Sequence, residues 1–184
     1  MKVVLKSFFE YNKLSQFLGG ILLKTKEAWI EELGLEAHPE GGFYLRTEAA
    51  DELINRNGLE RKLYTSIYFL LTQESPSHFH QLTADEIWYY HEGSALTVHC
   101  IYANGTYEAV RVGKNTLAGE RLHFNVPAGT IFGSTVEEDY SLVSCVVVPG
   151  FEFEDFKLFS QADLLDKYPE HQEIIKQLAF EKIE

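Results

Sequence analysis

The stretch SPSHFHQLTADEIWYYHEG, residues 75–93, gathers the side chains best suited to chemistry. His78 and His80 are separated by one residue, and Glu86 follows in a run rich in β-formers. Side chains alternate along a strand, so His78 and His80 are expected on one face of an incoming strand. Glu86, Trp88 and Tyr90 are expected on one face of the outgoing strand. Two imidazoles and a carboxylate converging across neighbouring strands can hold a divalent metal in a two-His-one-carboxylate set of His78, His80 and Glu86. The same groups can act as general acid and base, because imidazole titrates near neutrality.

Other residues extend this candidate pocket. Glu40 in HPEGG precedes Gly41 and Gly42, which allow a tight backbone turn beside an acid. Tyr68 shares a strand face with Ser66; its hydroxyl can donate a proton or hold a substrate oxygen. Tyr68, Trp88 and Tyr90 would wall a pocket, and aromatic faces suit sugar rings. His91, His99, His123 and His171 are single histidines in strands or at the start of the last helix, and read as structural or surface residues.

The frame that must position these groups is β-rich. From residue 36 to 159 runs such as SIYFLLT, EIWYYHE, ALTVHCIYA, YEAVRVG and YSLVSCVVV alternate with Gly, Pro and Asn turns, at roughly 8–12-residue spacing. This predicts an all-β sandwich or barrel. Helices flank it. Residues 4–18 carry apolar residues at rough helical spacing up to Gly19-Gly20. TKEAWIEELG has Thr25 as N-cap and Gly34 as stop, and residues 160–184 return to helical periodicity with Pro169 at a helix start. One domain over residues 1–184 is expected, with helices over 1–35, a barrel over 36–159 and helices over 160–184.

Composition narrows the partners. A net charge of −12 repels phosphate backbones and anionic lipid, so nucleic acid and membranes are not expected partners. No apolar run approaches membrane-spanning length. Cys100 and Cys145 lie in apolar runs without a CxxC pair, as buried free thiols do. These features point to the cytoplasm.

The motif resembles the first signature of the cupins, HxH followed by Glu and Gly. The Glu86-to-Gly93 spacing matches, and the His80-to-Glu86 spacing is one residue longer. In the second cupin signature, Pro127 and Gly129 match, but Phe132 stands where cupins carry a metal-binding histidine. LGLEAHPEGGFY, DEIWYYHEG, VPAGT, LVSCVVVPGFEFEDF and LLDKYPEH together resemble a small cupin family catalogued as predicted sugar epimerases. Arg46 departs from it, standing where the family tends to carry a carboxylate or amide. The resemblance implies a cupin β-barrel or jelly roll, a homodimer, and a small-molecule ligand such as a sugar.

Three functions follow. The first is a metal-free sugar epimerase or isomerase in which His80 is the base, Glu86 tunes it, and Tyr68 or Tyr90 is the acid, with Glu40, Arg46, Ser66, His78 and Trp88 binding substrate. The second is a metal-dependent oxygenase or isomerase using one divalent ion on His78, His80 and Glu86. The third is a cupin that binds a small ligand without turning it over. The acidic surface favours a neutral or singly charged substrate.

Overall fold

A computed structural model describes residues 15–18, 21–56 and 58–183. The chain begins with β1 (Ser15–Leu18) and β2 (Ile21–Lys24), which pair antiparallel. The helix expected over residues 4–18 is therefore corrected at its C-terminal end, and its residues 4–14 lie outside the described part. Short apolar runs on either side of a Gly-Gly pair are also a hairpin pattern, and that reading wins here. Helix α1 (Lys26–Leu33) forms as expected. The Thr25 side chain accepts from the Ala28 amide at 3.3 Å, and Gly34 ends the helix.

Thirteen further strands build the body. In chain order these are β3 (Glu36–Ala37), β4 (Phe43–Ala49), β5 (Leu53–Arg56), β6 (Leu59–Lys62), β7 (Thr65–Thr72), β8 (Ser77–Leu82), β9 (Asp85–Gly93) and β10 (Leu96–Ile101). They continue with β11 (Tyr107–Val112), β12 (His123–Val126), β13 (Ile131–Val136), β14 (Tyr140–Val148) and β15 (Phe156–Leu158). A six-stranded sheet has the order β12-β9-β14-β7-β4-β3, and a five-stranded sheet the order β11-β10-β13-β8-β15. Sequence-adjacent strands are repeatedly distributed between two antiparallel sheets, which is the jelly-roll arrangement. The stretch FEFEDFKLF, residues 151–159, is mostly a turn that yields only the short β15.

Alternation sets the layers. Phe69, Trp88, Val98, Phe132, Val143 and Cys145 face each other between the sheets and form the main core. The outer face of the six-stranded sheet presents Leu70, Tyr140 and Leu142, which α1 covers with Trp29, Ile30 and Leu33. The indole N–H of Trp29 donates to the Tyr140 hydroxyl at 3.1 Å, which donates in turn to the Lys24 carbonyl at 3.0 Å. Trp29→Phe is expected to cost about 1 kcal/mol through this bond, measured by urea denaturation. A loss indistinguishable from zero would mean that water replaces the indole.

The outer face of the five-stranded sheet is covered from the C-terminal side. Helices α2 (Gln161–Lys167) and α3 (Gln172–Leu178) place Leu164, Ile175 and Leu178 against Phe79, Ile101 and Ile131. Both exposed sheet faces are thus sealed by helices, and the space between the sheets is left as the place for a ligand. No helix of the described residues is long and apolar enough to cross a membrane.

Candidate functional site

A cavity of about 450 Å³ opens between the sheets. That is within the range of about 300–1,000 Å³ found for small-molecule sites. Glu40, His80, Leu82 and Glu86 form its inner part, and His38, Tyr44, Ile67 and Phe151 its walls. Glu36, Leu45, Arg46, Glu152 and Phe153 complete the lining, and most of them are exposed.

A tight loop, not a strand, delivers Glu40. The His38 amide donates to the Gly42 carbonyl, and the Gly41 amide to the His38 carbonyl, both at 3.0 Å. Gly41 has φ +106°, and a Cβ there would lie 2.0 Å from the Pro76 carbonyl oxygen, so this crossing accepts only glycine. The Glu40 carbonyl accepts from both the His78 amide at 2.8 Å and His78 Nδ1 at 2.7 Å. The Glu40 side chain then turns inward and is only 5% exposed. Its Oε1 accepts from the Ser77 hydroxyl at 2.8 Å. Its Oε2 lies 3.4 Å from His80 Nε2 and 3.6 Å from His38 Nδ1.

These contacts fix the tautomers. His80 Nδ1 lies 2.8 Å from the His78 carbonyl, so it carries the proton and Nε2 presents a lone pair to Glu40. His38 Nδ1 accepts from the Glu40 amide at 3.3 Å, so it too is unprotonated. Burial holds His80 down to about 3 and His38 down to about 4, keeping both rings neutral. Burial raises the Glu40 carboxyl well above its ordinary range, and the nearby Glu86 raises it further. Burial likewise pushes Glu86 up to about 7 against a counteracting bond from the Cys145 thiol. The site thus holds two carboxyls whose protonated forms burial favours, one of them facing a histidine lone pair.

A bulge explains why His78 and His80 part company. Phe132 pairs with His80 and Ser134 with Ser77, so His78 and Phe79 together oppose Gly133. The extra residue re-aims the strand. Ser77 and His80 both reach Glu40, Phe79 joins the outer core under the C-terminal helices, and the His78 ring stacks on Phe180 at 3.9 Å. The expected shared face of His78 and His80 is corrected accordingly, and His78 is an anchor of the Glu40 backbone outside the cavity lining.

The metal set His78, His80 and Glu86 therefore does not converge, because the His78 ring is turned to Phe180 and its Nδ1 is bound to the Glu40 carbonyl. Phe132, in the place of the fourth cupin ligand, packs on His80 at 4.1 Å between centroids. Among the described residues no group of three His, Cys, Asp or Glu has the geometry to hold a metal ion. These residues do not fit the divalent metal that the resemblance to cupins offers as an alternative.

Of the remaining expected site residues, the structure brings His80, Glu86, Glu40 and Arg46 to the cavity. Arg46 stands at its edge, with Nη2 donating to the Phe151 carbonyl at 3.4 Å. Tyr68 and Ser66 do share a face, but it is the outer one: Tyr68 packs under α1 in the cluster of Leu70 and Tyr140, because inward positions on β7 fall to Ile67, Phe69 and Leu71. Trp88 is fully buried in the core below the cavity, and Tyr90 spends its hydroxyl on the Gly93 carbonyl at 2.6 Å. Neither lines the cavity, since successive inward residues on a strand lie about 7 Å apart and Tyr90 is two such steps from Glu86. His38, Ser77, Tyr44 and Phe151 are site residues not anticipated. His38 could have been found beside Glu40 in HPEGG, whereas Ser77 is hidden by the bulge.

Residues 27–159 match the family described as Cupin superfamily (DUF985). The chain belongs to this cupin family. A solved hypothetical protein from Leishmania major is similar to this cupin at 44% identity and TM-score 0.83, covering 86% of this chain and all of the other. A solved protein from Shewanella oneidensis is 43% identical, with TM-score 0.82, 87% of this cupin and 100% of that chain being covered. An uncharacterised protein of Saccharomyces cerevisiae is 30% identical over 153 residues, 74% of this cupin and 76% of the relative.

Proposed function

We propose that this cupin is a proton-transfer enzyme of the isomerase or epimerase class, acting on a small molecule such as a sugar without help from a metal. The observation that carries the proposal is the 3.4 Å approach of Glu40 Oε2 to the His80 Nε2 lone pair inside the cavity. A proton on this pair sits on the carboxyl and is shared with the imidazole lone pair. The pair in its deprotonated form removes a proton from a carbon next to a carbonyl, and the electron pair moves onto the carbonyl oxygen. Glu86, protonated near neutrality, returns a proton to the carbon, and the carbonyl re-forms. His80 keeps the role expected of it in sequence, but as a partner to Glu40. The acid role expected of Tyr68 or Tyr90 passes to Glu86, because neither tyrosine lines the cavity.

The test is deuterium wash-in from heavy water into a panel of neutral and amino sugars. A substrate should gain one carbon-bound deuterium, and Glu40→Gln should slow exchange about 10²-fold or more. Binding without exchange by any sugar in the panel would contradict the reading and leave a binding protein.

A further inference from the structure

The inner cavity is built from acceptors. His80 commits Nδ1–H to the His78 carbonyl, which leaves Nε2 as a lone pair, and His38 Nδ1 is likewise an acceptor. The Ser77 hydroxyl is spent on Glu40 Oε1. Glu86 is 6% exposed, lines the cavity, and is engaged among the described residues only by the weak thiol donor of Cys145. A carboxyl taken so far from water needs donors, and here an occupant must supply them.

Ligand groups differ in what they bring. A carboxylate or phosphate brings only lone pairs and a charge repelled by the exposed Glu36 and Glu152, with Arg46 as the one cation of the lining among the described residues. A hydroxyl brings one donor and two lone pairs. An ammonium brings three donors, no acceptor and the opposite charge. Tyr44, Phe151 and Phe153 line the approach with aromatic rings, which also favour an organic cation.

We infer that the cavity binds its small molecule through a protonated primary amine, seated against Glu86 and the Glu40–His80 pair, with the carbon skeleton along Tyr44 and Phe151. The inference uses the site of the proton-transfer reading but does not need turnover.

The experiment is a binding titration by ligand-observed NMR and calorimetry with matched probes. These are D-glucosamine against D-glucose, and benzylamine against benzyl alcohol and benzoate. Each amine should bind at least about tenfold more tightly than its alcohol, and benzoate should not bind. Glu86→Gln should bring the amines down to the level of the alcohols. Equal or tighter binding of the alcohols or of benzoate would overturn the inference. So would a failure of both amines to bind at about 10 mM, or an amine preference that survives in Glu86→Gln. If that variant does not fold, the amine–alcohol comparison on the unaltered chain decides alone. An amine preference without deuterium exchange would retain this inference and sink the proton-transfer reading; exchange into neutral sugars with no amine preference would do the reverse.

Discussion

Glu86→Gln should make the protein more stable above neutral pH. Glu86 titrates at about 7 in the fold, against an ordinary 4.5. Between those values the folded chain holds a proton that the unfolded chain has released, so this group makes stability fall as pH rises, and above 7 the full cost of ionising a buried acid is present. That cost is on the order of 3 kcal/mol at about pH 8.5. Glutamine cannot ionise and escapes it. The neutral histidines act in the opposite sense and in a lower window. His38 and His80 are held at about 4 and about 3 against an ordinary 6.5, so they make stability rise as pH increases towards 6.5. Urea denaturation of the two proteins should therefore give curves that nearly meet in mild acid and diverge in mild alkali, with the variant above. Parallel curves would mean that Glu86 is already ionised at neutral pH. A destabilising acid kept in a cavity marks a residue held for chemistry at the expense of the fold.

Gly41→Ala should be the most damaging single methyl at the site. The added carbon would lie 2.0 Å from the Pro76 carbonyl oxygen, a backbone atom that cannot swing aside, and φ +106° is strained for alanine besides. A loss of about 3 kcal/mol or more is expected. The control is Gly129→Ala, where φ is +79° but nothing lies within 4 Å of the new carbon, so only about 1–2 kcal/mol of backbone strain applies. The site should respond as well as the fold. Displacing the 38–42 loop breaks the paired bonds from His78 to the Glu40 carbonyl and withdraws the Glu40 carboxyl from His80, so the nitrogen-15 shift of His80 Nε2 should move in Gly41→Ala and not in Gly129→Ala. Equal losses from the two variants would show that the loop accommodates the methyl and is not the support of Glu40.

The sandwich was legible in the sequence because period-two alternation is a local signal. Glu86, Trp88 and Tyr90 were placed together from it, and they do share the inward face of β9. Alternation does not say which of two faces is inward when a helix covers the outer one. Tyr68 and Ser66 follow the pattern and still point outward, Tyr68 under α1, which needs its own apolar face to pack against. Nor does alternation survive an extra residue. The bulge opposite Gly133 separates His78 from His80 and joins Ser77 to His80, and nothing in SPSHFHQ announces it. The one-residue excess between His80 and Glu86 was a visible departure from the cupin spacing, but it lies on the other side of His80 from the bulge. Glu40 was legible as an acid beside two glycines. Its partnership with His80 was not, because it joins residues forty positions apart through a loop whose course depends on the Pro76 backbone.

The central claim is that two buried carboxyls, not a metal, carry the chemistry of this cavity. Its most direct test is a carbon-13 NMR titration of the side-chain carboxyls, with Glu40→Gln and Glu86→Gln used for assignment. Two glutamate signals should stay in the protonated position well above pH 5, Glu86 leaving it near pH 7 and Glu40 shifting to lower pH when Glu86 is replaced. If both signals instead follow the ordinary glutamate range near 4.5, the carboxyls are ionised and solvated at neutral pH, and the account of the site is wrong.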